Sequence, residues 1–224
     1  MKTILSLFMV LSLTGCGDPS GTITGTEEVA KPIYVVKIDD TKDAHPQIGI
    51  NQADLVYIEQ VEGGLTRLAA IFSKTLPPVI GPVRSARISD IELLAQFGKV
   101  AFLYSGAQTK LRPVLKNANL IDLSAEHESS KLYSRKSDRT APVNMVINTE
   151  ELLRITKERN LKIAKSKNMG WNFGELVKEQ QGNPIKSATV KWPASRYDVS
   201  WNGKDWLISQ NGVAEIDADG KVVT

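Results

Sequence analysis

Arg84 and Arg87 sit three residues apart in the stretch GPVRSARISDIELLAQFG, Gly81 to Gly98, immediately ahead of a helix start. A guanidinium presents a rigid fork of N–H donors and cannot be discharged, so it must meet an anion somewhere. Free backbone amides at a helix N-terminus share that preference. With Ser85 between them and Arg67 on a neighbouring strand, the two arginines form either an anion-recognising pocket or a brace against the chain's own carboxylates. Such carboxylates are at hand: Asp39, Asp40, Asp54, Glu59 and Glu62 lie in or beside the first strands, and Asp138 lies further on. Asp54, Glu59 and Glu62 read as ion-pair partners of the arginines or as alternative catalytic groups. On a regular strand Glu59 and Glu62 point to opposite faces. A bulge that brought them together would make the carboxylate pair that glycoside hydrolysis needs.

Other chemistries find less support. A serine nucleophile needs a histidine within hydrogen-bond reach, and only His45 and His127 exist. His45 precedes a proline in a loop and His127 lies in the polar stretch AEHESS, so both read as surface residues. No HExxH, CxxC or paired-histidine spacing supports zinc, and no Walker-type or dinucleotide glycine pattern appears. No metal and no cofactor is expected. The net charge of +3 is spread along the chain. Nucleic-acid proteins instead cluster basic residues with aromatic platforms, so nucleic acid is not an expected partner.

The elements that must position these residues follow from apolar period and turn chemistry. Ile33–Ile38, Leu55–Val61 and Leu65–Phe72 read as strands, the last two separated by Gly63-Gly64, a tight turn or bulge. Ser89 and Glu92 have capping-box spacing, with Asp90 adding first-turn negative charge, and Gly98 stops that helix. Val100–Tyr104 reads as a buried strand. Gln108–Lys116 reads as a helix restricted by Pro113. Pro142–Ile147 is a further strand, and Asn148 caps a helix from Thr149 to about Arg159.

After about residue 165 the pattern changes. SKNMGWNFGEL is irregular, and short strands then recur at turn spacing: Ala188–Trp192, Tyr197–Trp201, Trp206–Ser209, Val213–Ile216 and Val222 onward. Asn202-Gly203 and Asn211-Gly212 are hairpin signals. Asp217-Ala218-Asp219-Gly220 lacks the later ligands of a calcium loop and reads as a turn. The sequence stops at Thr224 inside an expected strand, which suggests an incomplete chain or an edge covered by another chain. With 42% apolar residues the 224-residue chain can bury a core without staples.

The first residues, MKTILSLFMVLSLTGC, give a short positive start, an apolar run from Ile4 to Leu13 too short to span a bilayer, and a small-residue ending at Cys16. This resembles the lipobox of bacterial lipoproteins, in which the cysteine is lipidated and a palmitate-type anchor holds the mature chain on the membrane. Cys16 is the chain's single cysteine, so no internal disulfide can form. Residues 17–30, GDPSGTITGTEEVA, read as a flexible tether.

Taken in order, PIYVVKIDD, HPQIGINQADLVY, VEGGLTRLAAIF, GPVRSAR, YSGA and DRTAPVN resemble the YerB-like bacterial lipoproteins, a family without an established reaction. The resemblance implies an α+β fold: a layered β/α sandwich over residues 31–165, followed by a partial, apparently truncated β-meander domain over 166–224. It also implies a cell-membrane location on the extracytoplasmic face. Many members of the family carry Asn at the place of Asp40, Arg at His45 and His at Val143; if a family histidine at the last position does acid–base work, that chemistry is closed to this chain. The leading expectation is a lipid-anchored binding or scaffold protein whose partner is an envelope protein or a cell-wall ligand. A carboxylate-dependent envelope hydrolase is the alternative.

Overall fold

The computed structural model describes residues 30–170 and 182–224. The expected leader, Cys16 and all but the last residue of the expected tether lie outside the described residues, as does the second half of SKNMGWNFGEL.

Five strands form the main sheet, in the order β2-β3-β1-β5-β6. They are β1 (Tyr34–Asp39), β2 (Leu55–Gln60), β3 (Thr66–Phe72), β5 (Ala101–Leu103) and β6 (Ile121–Asp122). The central strand β1 runs antiparallel to β3 and parallel to β5. Side chains alternate across a strand, and the sheet uses both faces. Tyr34, Val36 and Ile38 join a cluster with Leu68, Ile80, Ile147 and Leu152. Ile33 and Val35 join the opposite cluster with Ile71, Leu94, Phe97, Phe102 and Leu115. The first face is covered by a three-stranded sheet of β4 (Val79–Ile80), β8 (Met145–Asn148) and β7 (Tyr133–Arg135), together with α3 (Thr149–Glu158). The second is covered by α1 (Ile88–Ala95) and α2 (Arg112–Asn117). The result is the layered α+β architecture expected from the sequence.

Local chemistry explains most boundaries. The Asn148 side chain accepts hydrogen bonds from the N–H groups of Glu150 and Glu151, so α3 is capped as expected, a contribution of about 1 kcal/mol. Pro113 falls in the first turn of α2, where its missing N–H costs nothing, so the helix starts later than the apolar pattern suggested. The start of α1 differs from the Ser89–Glu92 capping box. The Asp90 carboxylate accepts the Arg87 N–H at 2.6 Å, which moves the helix start back to Ile88. Ser89 lies inside the first turn and donates its hydroxyl to Glu59 Oε2 at 2.9 Å. Expected strand residues from Pro142 to Asn144 precede β8, which begins at Met145.

The last four strands, β9 (Ser187–Trp192), β10 (Ser195–Trp201), β11 (Trp206–Gln210) and β12 (Val213–Ala214), form an antiparallel meander. Its two later turns hold Asn202-Gly203 and Asn211-Gly212. Val222 forms only an isolated bridge with Ile216. Asp217 to Gly220 is a turn closed by the Asp217 N–H on Lys221 O at 2.8 Å. No group of three His, Cys, Asp or Glu residues suited to a metal occurs among the described residues. The meander meets the main sheet at the second glycine of the pair: the Ala194 N–H donates to Gly64 O at 3.0 Å. Gly64 has φ +73°, and a Cβ there would lie 2.6 Å from Pro193 Cβ. Turn geometry and this close approach both require glycine. No helix among the described residues is long and apolar enough to cross a membrane.

Candidate functional site

The strand registers set one charged row across the sheet. Glu59 on β2 pairs with Arg67 on β3, and Arg67 pairs with Asp39 on β1. Directly opposed residues share a face, so all three look towards α1. The segment before α1 crosses this row. The Arg84 N–H donates to Lys37 O and the Ser105 N–H to Arg84 O, both within hydrogen-bond distance. Arg84 thus lies beside the last residues of β1 and beyond the carboxyl end of β5, and Arg87 stands next to a helix N-terminus. In open α/β sheets that is where ligands bind.

Two of the three arginines, Arg67 and Arg87, converge on the Ser85 carbonyl. Arg67 Nη1 donates to Ser85 O at 2.7 Å, and Arg87 Nη1 reaches the same oxygen at 3.4 Å and Ala86 O at 2.9 Å. Their other partners differ in kind. Arg84 Nε lies 2.7 Å from Asp39 Oδ2, a close ion pair without hydrogen-bond alignment, and Asp39 is buried while the Arg84 side chain is 28% exposed. Arg87 grips Glu62 Oε2 through Nε at 2.8 Å and Nη2 at 2.7 Å; Glu62 is 57% exposed and also takes a hydrogen bond from Gln108. The Arg87 bond holds the Glu62 carboxyl below the usual range. Arg67 has no carboxylate within ion-pair distance among the described residues. Burial, then the charges of Arg87 and Arg84, lower its guanidinium to about 10. Arg84 therefore ties down a buried acid, Arg87 holds a surface one, and Arg67 bonds only a backbone carbonyl.

Glu59 does not join Glu62. The strand ends at Gln60, and a tight turn over Glu62–Gly64 carries Glu62 to Arg87. Glu59 instead receives Lys37 Nζ at 2.8 Å, and the same ammonium donates to Asp90 Oδ1 at 2.7 Å. Lys37 and Asp90 are fully buried. Burial, and the nearby Glu59 charge, raise Asp90 to about 6 against the pull of Lys37. Glu59 Oε1 is buried without a partner. Lys37 was not among the residues singled out from sequence. Its signal was one cation in the middle of an apolar strand, YVVKID, which demands buried acids nearby.

Asp40, one residue beyond Asp39, serves the opposite face. Its carboxylate accepts from Thr66 Oγ1, Tyr197 OH at 2.7 Å and Gln210 Nε2 at 2.8 Å, so it anchors β10 and β11 to the sheet. His45 is not the surface residue its context suggested. Nδ1 lies 3.0 Å from Glu215 Oε2, and Nε2 lies 3.6 Å from Asp40 Oδ1. Burial alone would lower its pKa, but Asp40 and Glu215 outweigh it and raise the imidazole to about 10. Asp40 also raises the phenol of Tyr197, on top of burial.

The remaining sequence-derived residues lie elsewhere. Asp54 precedes β2 at the end away from Glu59 and caps the Ser73 and Lys74 amides at 2.6 and 2.8 Å. His127 is exposed, as expected, and lies 3.1 Å from Asp122. Asp138 is exposed beside Lys136. A cavity of about 740 Å³ between the Thr41–Pro46 and Asp138–Val143 loops includes Arg139 in its wall, but that guanidinium is committed to the carbonyls of Ala44 and Pro46. Among the three arginines of the cluster, Arg67 is the one with no carboxylate within ion-pair distance among the described residues.

A layered α+β domain with this sheet order and a meander packed on it defines a class. The family model for the N-terminal domain of a protein of unknown function (DUF3048) matches residues 20–162, and the chain belongs to that YerB-like family. The Bacillus subtilis (strain 168) protein named "Putative lipoprotein YerB" is 26% identical over 138 residues, which is 62% of this chain and 41% of that protein. The chain thus spans less than half the length of this curated relative. The crystal structure of the YerB protein from Bacillus subtilis matches with a TM-score of 0.72 at 22% identity, over 87% of this chain and 66% of that one. That likeness establishes a shared fold.

Proposed function

We propose that the protein is a lipid-anchored, extracytoplasmic binding protein of the bacterial envelope that recognises an anionic ligand at Arg67, Arg84, Ser85 and Arg87. The observation that carries the reading is Arg67, a half-buried guanidinium with no carboxylate within ion-pair distance among the described residues, whose one hydrogen bond goes to a carbonyl. A buried cation of this type needs an anion, and a ligand supplies it. The lipobox at Cys16 and the name of the Bacillus relative support the anchor.

The arginines separate in a mutational test. Arg67→Ala abolishes binding of small anions in calorimetric titration and changes stability by less than about 1 kcal/mol, since it frees one neutral carbonyl. Arg84→Ala strands the buried Asp39 and costs about 3–5 kcal/mol. Arg87→Ala releases an exposed acid and costs less than about 1 kcal/mol. Undiminished anion binding by Arg67→Ala removes the site. The anchor has its own test: Cys16→Ser abolishes incorporation of labelled fatty acid, and an unlabelled wild type refutes lipidation.

A further inference from the structure

We infer that the anion taken at the arginine cluster is a singly charged phosphodiester, an inference that rests on the anion-site reading above. Two features lead there. The first is charge. Three guanidiniums, Arg67, Arg84 and Arg87, face two carboxylates, Asp39 and Glu62. Over these five groups one positive charge is left, which a monoanion neutralises; the adjoining Lys37, Glu59 and Asp90 add one net negative charge, so a dianion is disfavoured further. The second is the number of open donors. Arg67 spends Nη1 on Ser85 O; its Nε and Nη2, the side-on fork, have no partner among the described residues. Arg84 spends Nε on Asp39, and both its terminal nitrogens are open. The hydroxyls of Ser85 and Ser105 lie 3.5 Å apart and bond at best to each other. These donors come from three segments: β3, the crossing segment before α1, and the turn after β5. A carboxylate offers about four acceptor sites in a single plane. A phosphodiester carries the same charge on a tetrahedral centre, so its two terminal oxygens accept from donors above and below as well as in plane. Arginine forks suit that group. The Arg84 side chain is partly exposed, so its terminal nitrogens reach solvent. A phosphodiester can come from a phospholipid headgroup or from a soluble polymer or metabolite; the chemistry at the arginines is the same.

The test uses the full lipidated chain in nanodiscs of zwitterionic phosphatidylcholine, with dimethyl phosphate, inorganic phosphate and acetate as titrants. Dimethyl phosphate binds, and acetate binds weaker by about 10-fold or more because it leaves donors unfilled. Arg67→Lys keeps the charge but loses the fork, and weakens dimethyl phosphate by about 10-fold. Discs containing phosphatidylglycerol separate the sources: a headgroup that fills the site suppresses dimethyl phosphate binding, and a soluble source leaves it unchanged. Acetate binding as tightly as dimethyl phosphate, inorganic phosphate binding more tightly, or Arg67→Lys matching wild type overturns the phosphodiester inference while the anion site stands. If no titrant binds in either kind of disc, both readings fall.

Discussion

Lys37→Met lowers the unfolding free energy by about 3–5 kcal/mol at neutral pH, read from urea titration. Domains of this size hold only about 5–15 kcal/mol in total, so the variant is largely unfolded under mild stress. The cause is local. Lys37 Nζ is the cation shared by Glu59 and Asp90 under α1, and methionine fills its volume but leaves two buried acids facing each other. Asp90 already titrates near 6 in the native chain because of burial and Glu59, whereas an unfolded aspartate titrates near 3.9. The native state therefore binds more protons between those values, and the Asp90 contribution to stability falls as pH rises through that window. Without Lys37, Asp90 holds its proton to higher pH, so the penalty shrinks on acidification. Combining Lys37→Met with Glu59→Gln and Asp90→Asn recovers much of the loss, since a neutral set needs no cation. A Lys37→Met protein as stable as wild type at neutral pH contradicts this account.

The same residues show what the sequence could and could not reveal. Four of the five strands of the main sheet were legible, in part because β-branched residues in Tyr34–Asp39 and Thr66–Phe72 fill both faces of a covered sheet. The Asn148 cap and the two Asn-Gly turns were legible because their chemistry is local. β4, β6 and β7 are only two or three residues long and exist through pairing with distant strands, so no period marks them. The arginine cluster was half legible. Its members were evident, but their partners depend on register, which places Asp39 and not Asp54 in the row of Arg67. Ser89 and Asp90 both suit a helix start, and the sequence does not say that Glu59 competes for the serine. His45 was misread for a similar reason: both acids that charge it are remote or on the far side of a turn, and one belongs to the meander.

Asp40→Ala loosens the meander from the main sheet and costs about 3–5 kcal/mol. It removes one acceptor from Thr66, Tyr197 and Gln210 together, and it leaves the His45 imidazolium with Glu215 alone. The wild type carries a pH signature of that contact. His45 keeps its proton to about 10 in the folded chain, while an unfolded histidine releases it near 6.5. The folded state binds more protons throughout that interval, so the stabilisation is complete below 6.5 and drains away as pH rises towards 10. His45 is partly solvent-accessible, so the loss is on the order of 2–3 kcal/mol rather than the full shift. Asp40→Asn keeps the side-chain shape, loses the charge, and flattens the alkaline limb. His45→Gln does the same from the other side, and the double variant adds little to either single one, because both remove one interaction. Trp192 packs edge-on against Tyr197 at 5.9 Å, so its fluorescence follows the release of β10. An alkaline limb of equal slope in wild type and Asp40→Asn would mean that the charge on His45 does not hold the meander in place.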